Sequence, residues 1–265
     1  MPRALPTWAT GLIGALVVVA AWWLLSVTAL ANVGPSGAQA IPTPGQVIAS
    51  YGDSGWEFYW NNFSITMTEA AWGYLWGNGL ALLLAGIVLV APRLEGVAMQ
   101  LAVISYCLPI VAIGPLLLLI LGVPKAGEPS STAIFLAALS VFFTSVVGAL
   151  LGLKSADKAS LDVVAVYGGG RLAQLRKVRV VAALPATLTA LQIAVPAAFL
   201  GAILGEYLGK VEVGIGPAMV IAQQSLNAPR VWAIALASGA VALIAYLLVG
   251  LIARMAAPWA KGAAA

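Results

Sequence analysis

Histidine is absent from the 265-residue chain, cysteine occurs once, and only 8% of the residues are charged. Without imidazole there is no histidine base, proton relay or histidine metal ligand. The lone Cys107 excludes a disulfide within the chain, and its place in an apolar segment predicts a buried, inert thiol. Clustered carboxylates, and any nucleophile beside a base, are also missing, which disfavours a membrane enzyme. The phosphate-cradling pattern G-x-x-x-x-G-K-[ST] does not occur, so any ATP must be bound by another subunit. A soluble domain carries about 25% charged residues. A chain with 8% charged and 62% hydrophobic residues is expected to be a polytopic membrane protein. The net charge of +4 does not point to nucleic acid, because the basic residues sit in short loops rather than on one soluble face.

What is abundant is apolar sequence in six runs, at about residues 8–31, 63–91, 97–122, 131–153, 185–209 and 231–253. Each is long enough to cross a bilayer as a helix. The expected architecture is all-α, a single transmembrane domain over 1–265 with about six spans. Ala38-Gln39-Ala40 looks like a signal-peptidase site, but the run before it is too long for a signal core, so the first span is read as retained. Asn32–Asn62 combines Pro35, Pro42 and Pro44 with Tyr51, Trp56, Phe58, Tyr59 and Trp60, an extended stretch followed by an interfacial aromatic belt. Gly73 and Gly77 in the second span, and Ala197, Gly201, Gly205 and Gly209 in the fifth, are small-residue stripes that suit close helix packing. Pro109, Gly114 and Pro115 predict a kinked third span, which suits a helix lining a path.

The long polar exception is 154–184, which holds six of the 13 Lys and Arg residues. It reads as a short helix that Ser160 can cap, with Asp162 near its positive end. Gly168-Gly169-Gly170 then breaks the helix. A basic helix with Arg171, Arg176, Lys177 and Arg179 runs on to Leu184-Pro185. With both termini on one side, ten cations (Arg3, Arg93, Lys154, Lys158, Arg171, Arg176, Lys177, Arg179, Arg254, Lys261) share the face of this loop. Only Lys125, Lys210 and Arg230 lie opposite. The positive-inside rule makes that face, and both termini, cytoplasmic. The same basic cluster suits anionic lipid headgroups at the inner surface.

The 154–184 loop resembles the cytoplasmic "EAA" loop of ABC-importer permeases. Asp162 stands at the family's usual Glu, Ala165 and Gly168 supply its small residue and glycine, and Val178 and Val180 match the aliphatic positions. Val181 replaces the first proline, and Leu184-Pro185 follows. Elsewhere, Ile41-Pro42-Thr43-Pro44, Gly73-Tyr74 with Gly77, Pro109 with Pro115, Leu121-Gly122, and Glu206 before Gly214-Ile215-Gly216 are similar to importer permeases for nitrate, taurine, aliphatic sulfonates and pyrimidine precursors. Glu69 departs from relatives that often carry Arg there. The resemblance implies a type I importer permease fold in a prokaryotic plasma membrane. It also implies a homodimer, two cytoplasmic ATPase subunits that bind the ATP and Mg, an extracytoplasmic binding protein, and no cofactor in this chain. Leu161, Asp162, Val163, Val164, Ala165, Tyr167, Gly168, Gly169 and Arg171 would then grip the ATPase, with Leu184 and Pro185 as the joint to the fifth span.

Ionisable and polar groups inside spans are costly and mark functional candidates. Glu69, Tyr106, Pro109, Ser140, Gln192, Phe199 and Glu206 are the candidates for a translocation path, with Asn78 and Thr144 as further polar positions. Glu206 alternatively pairs with Lys210 one turn on. Two other classes stay open beside an importer permease: a stand-alone secondary transporter or channel, which would be expected to show inverted repeats, and, less favoured, an enzyme.

Overall fold

A computed structural model describes residues 6–34, 39–125 and 127–259. Arg3, Pro35, Ala38 and Lys261 lie outside the described residues. Those described are overwhelmingly helical: α1 Thr7–Val27, α2 Pro44–Val90, α3 Glu95–Cys107, α4 Ile110–Leu121, α5 Ser131–Lys154, α6 Lys158–Val166, α7 Arg171–Gln174, α8 Val180–Leu208, α9 Ile215–Gln224 and α10 Ala228–Ala256. Five segments are long and apolar enough to cross a membrane, and a sixth is gained if the bent pair α3–α4 counts as one span. Two compact units divide them. One contains residues up to Asn61 with Ala218–Ser238, the other Asn62–Pro217 with the residues from Gly239 onward.

In the first unit, Thr43 and Gln46 make a reciprocal capping box, Thr43 N–H donating to Gln46 Oε1 at 2.7 Å and Gln46 N–H to Thr43 Oγ1 at 3.3 Å. With Pro44 as the first helical residue, this opens a helix before the expected span; Gly55, at φ 73° and ψ 162°, breaks α2 between this first stretch and the one that runs on to Val90. The expected extended stretch therefore ends at Thr43. The aromatic cluster separates into two groups. Tyr51 donates to the Ala233 carbonyl at 2.8 Å, and Arg230 lies 5.3 Å from the Phe58 ring centre. Trp56 and Trp60 instead stack on each other and stay exposed, as a belt requires. Trp22 stacks on Trp232 at 5.4 Å.

In the second unit α5 is the hub. Gly73 and Gly77 bring α2 against Ala137 and Ala138 of α5. Gly201 and Gly205 bring α8 against Ala137 and Ala133, and Gly148 and Gly152 of α5 meet Ala190 and Ala183 of α8. The two stripes seen in the sequence thus converge on one helix. Asn78 accepts a hydrogen bond from Ser145 across the α2–α5 contact, the helix-bridging role common for polar groups in spans.

Two boundaries differ from the sequence reading. The third run is not one kinked helix: α3 and α4 meet at 90°. Pro109 has no N–H to continue the ladder and forces Leu108 into an extended conformation, ψ 122°, so the helix stops rather than bends. Cys107, at that break, is exposed instead of buried. The fifth run does not begin at Pro185. Arg171–Leu208 is one helical segment of 38 residues, passing through a wider π turn at Leu175–Arg179 and carrying Pro185 and Pro196 inside α8.

Candidate functional site

The polar loop begins and ends at one clamp. Ser155 donates to the Gly152 carbonyl at 2.7 Å and lies 2.9 Å from the Ala182 carbonyl, joining the end of α5 to the start of α8. Beside it Lys154 pairs with Glu95 of α3 at 2.5 Å. Both partners are substantially exposed, so this pair contributes little, about 0–1 kcal/mol. The N-cap of α6 is Asp157, not Ser160: its Oδ2 accepts the Ser160 N–H at 3.3 Å. An ionised carboxylate caps the helix and faces its positive end, whereas Asp162 falls in mid-helix.

At the other end, Gly168 (φ 77°) is the left-handed residue of a Schellman closure. Its N–H reaches the Ala165 carbonyl at 2.9 Å, and the Gly169 N–H reaches that of Val164 at 2.8 Å. Only glycine adopts that φ without penalty. Gly169 is equally constrained, because a Cβ there would sit 2.7 Å from the Val164 carbonyl oxygen. Gln174 then donates to the Leu161 carbonyl at 3.1 Å, tying α6 to the helical segment that runs into α8.

No residue of α6 is buried. Leu161 and Val164 face inward in part, while Asp162, Val163 and Ala165 are exposed. Val166 and Tyr167 are 84% and 88% exposed, and Gly168 and Arg171 lie open beside them. An apolar edge held outside the fold on a braced short helix has the form of a docking knob. Leu184 and Pro185 are half-buried inside a continuous helix.

A second constellation joins the two membrane carboxylates, which the sequence left unrelated. Asn62, Thr66 and Glu69 recur at helical spacing on one face of α2. The first two meet the turn that opens α9: Gly214 N–H donates to Asn62 Oδ1 at 3.0 Å and Ile215 N–H to Thr66 Oγ1 at 3.0 Å. The third N–H in the row, that of Gly216, donates to Glu206 Oε2 at 2.6 Å, and Thr66 donates to Glu206 Oε1 at 2.5 Å. Three side chains therefore close one helix N-terminus. Glu69 does the same for α5, where it accepts the Ser130 N–H at 2.5 Å. Both carboxyls are sealed in the protein, at 0% and 1% exposure, and Glu69 Oε2 has no hydrogen-bond partner among the described residues.

Glu206 does not pair with Lys210, which lies past the end of α8 with φ 51°. The carboxyl turns into the protein, where it accepts the Gly216 N–H and the Thr66 hydroxyl. Asn62, Thr66 and Ser130 were not among the sequence candidates, and Gly216 entered only as part of the Gly214-Ile215-Gly216 resemblance. The spacing of Asn62, Thr66 and Glu69 was the available signal, and a Gly-x-Gly turn after an acidic helix end was the complementary one.

The other path candidates are scattered. Tyr106 is exposed and stacks on Phe143 at 4.6 Å, and Pro109 is exposed at the α3–α4 break. Ser140 bonds back to its own helix at the Leu136 carbonyl. Gln192 reaches the Tyr246 carbonyl of α10 at 3.4 Å, and Phe199 is buried against Phe63.

Among the described residues the architecture is that of a helical, multi-pass membrane protein, with small-residue contacts around one hub helix and a braced short helix between two spans. The chain belongs to the binding-protein-dependent transport system inner membrane component family, whose model matches residues 77–259, and so is an ABC-importer permease of the inner membrane. It is similar to a probable ABC transporter permease protein of Haemophilus influenzae, 31% identical over 72% of this chain and 75% of the relative. It also resembles the formylaminopyrimidine transport permease of Halalkalibacterium halodurans, 25% identical over 83% and 86% of the two chains. A putative aliphatic sulfonates transport permease of Bacillus subtilis is 26% identical over 85% and 78%.

Proposed function

We propose that this chain forms the translocation path of an ATP-driven, binding-protein-dependent importer for a small anion of the sulfonate, taurine or nitrate kind, or for a pyrimidine-type heterocycle. The relatives that carry sulfonates and formylaminopyrimidine support that range of solutes. ATP hydrolysis belongs to a separate ATPase that binds ATP and Mg, so the chain itself is a transport component and not an enzyme. Two copies of the chain, two ATPases and an external binding protein complete the assembly, and both termini face the cytoplasm with the 154–184 loop.

The observation that carries this reading is the exposed α6 edge of Val163, Val166 and Tyr167 on a stiff support. A motor that grips this edge moves the Arg171–Leu208 segment with it, since Gln174 and the Ser155 clamp leave no slack. The helix pair around α5 then tilts as a rigid body. Tyr106, Pro109, Ser140 and Gln192 remain the proposed path residues. Glu69, Glu206 and Phe199, committed to neighbours inside the protomer, are assigned to holding the helices that form it.

Gly168→Trp is the direct test. A side chain at φ 77° costs roughly 1–2 kcal/mol locally, too little to unfold the membrane helices, and nothing lies within 4 Å of a Cβ placed there. Insertion should persist while substrate-stimulated ATP turnover and uptake in reconstituted vesicles are lost. Unchanged uptake would remove the coupling role.

A further inference from the structure

We infer that the cleft where α2 ends against the Arg171–Arg179 segment is a binding site for the phosphodiester headgroup of an anionic phospholipid. The cleft has a volume of about 160 Å³ and is lined by Leu89, Pro92, Arg171, Gln174, Leu175 and Arg179. It lies at the level where the apolar run of α2 stops, so headgroups occupy the same depth. Its lining combines aliphatic side chains with two arginines, the combination an amphiphile with a charged head requires.

Neither arginine side chain has a hydrogen-bond or ion-pair partner among the described residues, where Lys154–Glu95 is the ion pair formed. Arg179 is half-buried in the cleft wall. A partly desolvated cation without a counter-charge is unfavourable unless an anion joins it. Two arginines at one cleft suit the paired oxygens of a phosphodiester, which guanidinium groups bind in a bidentate fashion. The competing role, facing the carbonyl end of α2, would leave the cleft empty. The bound lipid would brace the root of the 154–184 loop against α2, a static support that neither needs nor excludes an ATPase.

This inference rests on the permease reading only for the membrane level of the cleft, and its test needs no transport. The full chain, purified in a neutral detergent, would be titrated with phosphatidylglycerol, with phosphatidylcholine, or with inorganic phosphate. Thermal unfolding and retained lipid by native mass spectrometry would be followed. Saturating phosphatidylglycerol should raise Tm by about 2–4 °C, with phosphatidylcholine inert. Arg179→Gln should lower lipid retention roughly tenfold, and Arg179→Lys, which keeps the charge but not the fork, should fall between. The lipid-free Tm of each variant separates a lost ligand from a lost fold. Equal retention in Arg179→Gln, or no difference between the two lipids, would overturn the site. Protection by inorganic phosphate as strong as by phosphatidylglycerol would overturn the lipid as its occupant. Intact lipid binding with failed ATPase coupling would leave this inference standing and sink the coupling reading alone.

Discussion

Glu206→Leu should sharply lower the amount of folded chain recovered in detergent. The substitution leaves the Gly216 N–H without its acceptor in a sealed region, and leaves the Thr66 hydroxyl only the Asn62 carbonyl of its own helix. A buried orphan costs about 1–3 kcal/mol, the lost bond between helices adds to it, and a domain holds only about 5–15 kcal/mol in total. Glu206→Gln keeps one acceptor but points an amide N–H at either Thr66 or Gly216, so an intermediate loss is expected. Glu69→Gln should be nearly neutral: its carbonyl still accepts from Ser130, and its amide replaces the one oxygen that has no hydrogen-bond partner. Fluorescence-detected size exclusion with thermal challenge ranks the three. If Glu69→Gln proves as damaging as Glu206→Leu, the unequal commitment of the two carboxyls is wrong.

Gly205→Val is the second large effect. Its Cβ would overlap the Ala133 backbone at the α5–α8 contact, and no rotamer relieves a clash with backbone. Overpacking of this kind costs about 3 kcal/mol, a drop on the order of 10 °C in Tm. Gly239 of α10 provides the contrast, since nothing lies within 4 Å of a Cβ there. Gly239→Ala should hold or raise Tm, because alanine is the better helix former by about 1 kcal/mol. Equal sensitivity at both positions would contradict the close approach of α5 and α8.

That contrast separates what could be read in the chain from what could not. The membrane class, the helical runs, the glycine stripes and the polar loop were legible because burial in lipid imposes a composition and a length on each segment. The Schellman closure at Gly168 was foreshadowed by three consecutive glycines. The cap was misplaced by three residues, since Asp157 and Ser160 are equally good capping types and only the path of the chain leaving the Ser155 clamp selects between them. Likewise Gly239 and Gly205 look alike in sequence, and Glu206 beside Lys210 looks like a local pair.

Local chemistry is set by residue type and spacing, so the amino-acid sequence by itself determined that this is a helical membrane permease with a polar loop between two of its spans. The tertiary structure decided which glycines are contacts, that Pro109 breaks a span, and that Glu69 and Glu206, 137 residues apart in the chain, close two helix ends together. Those outcomes depend on which helices meet, and interhelical contacts in lipid are chosen by shape and by unpaired backbone groups that no single segment reveals.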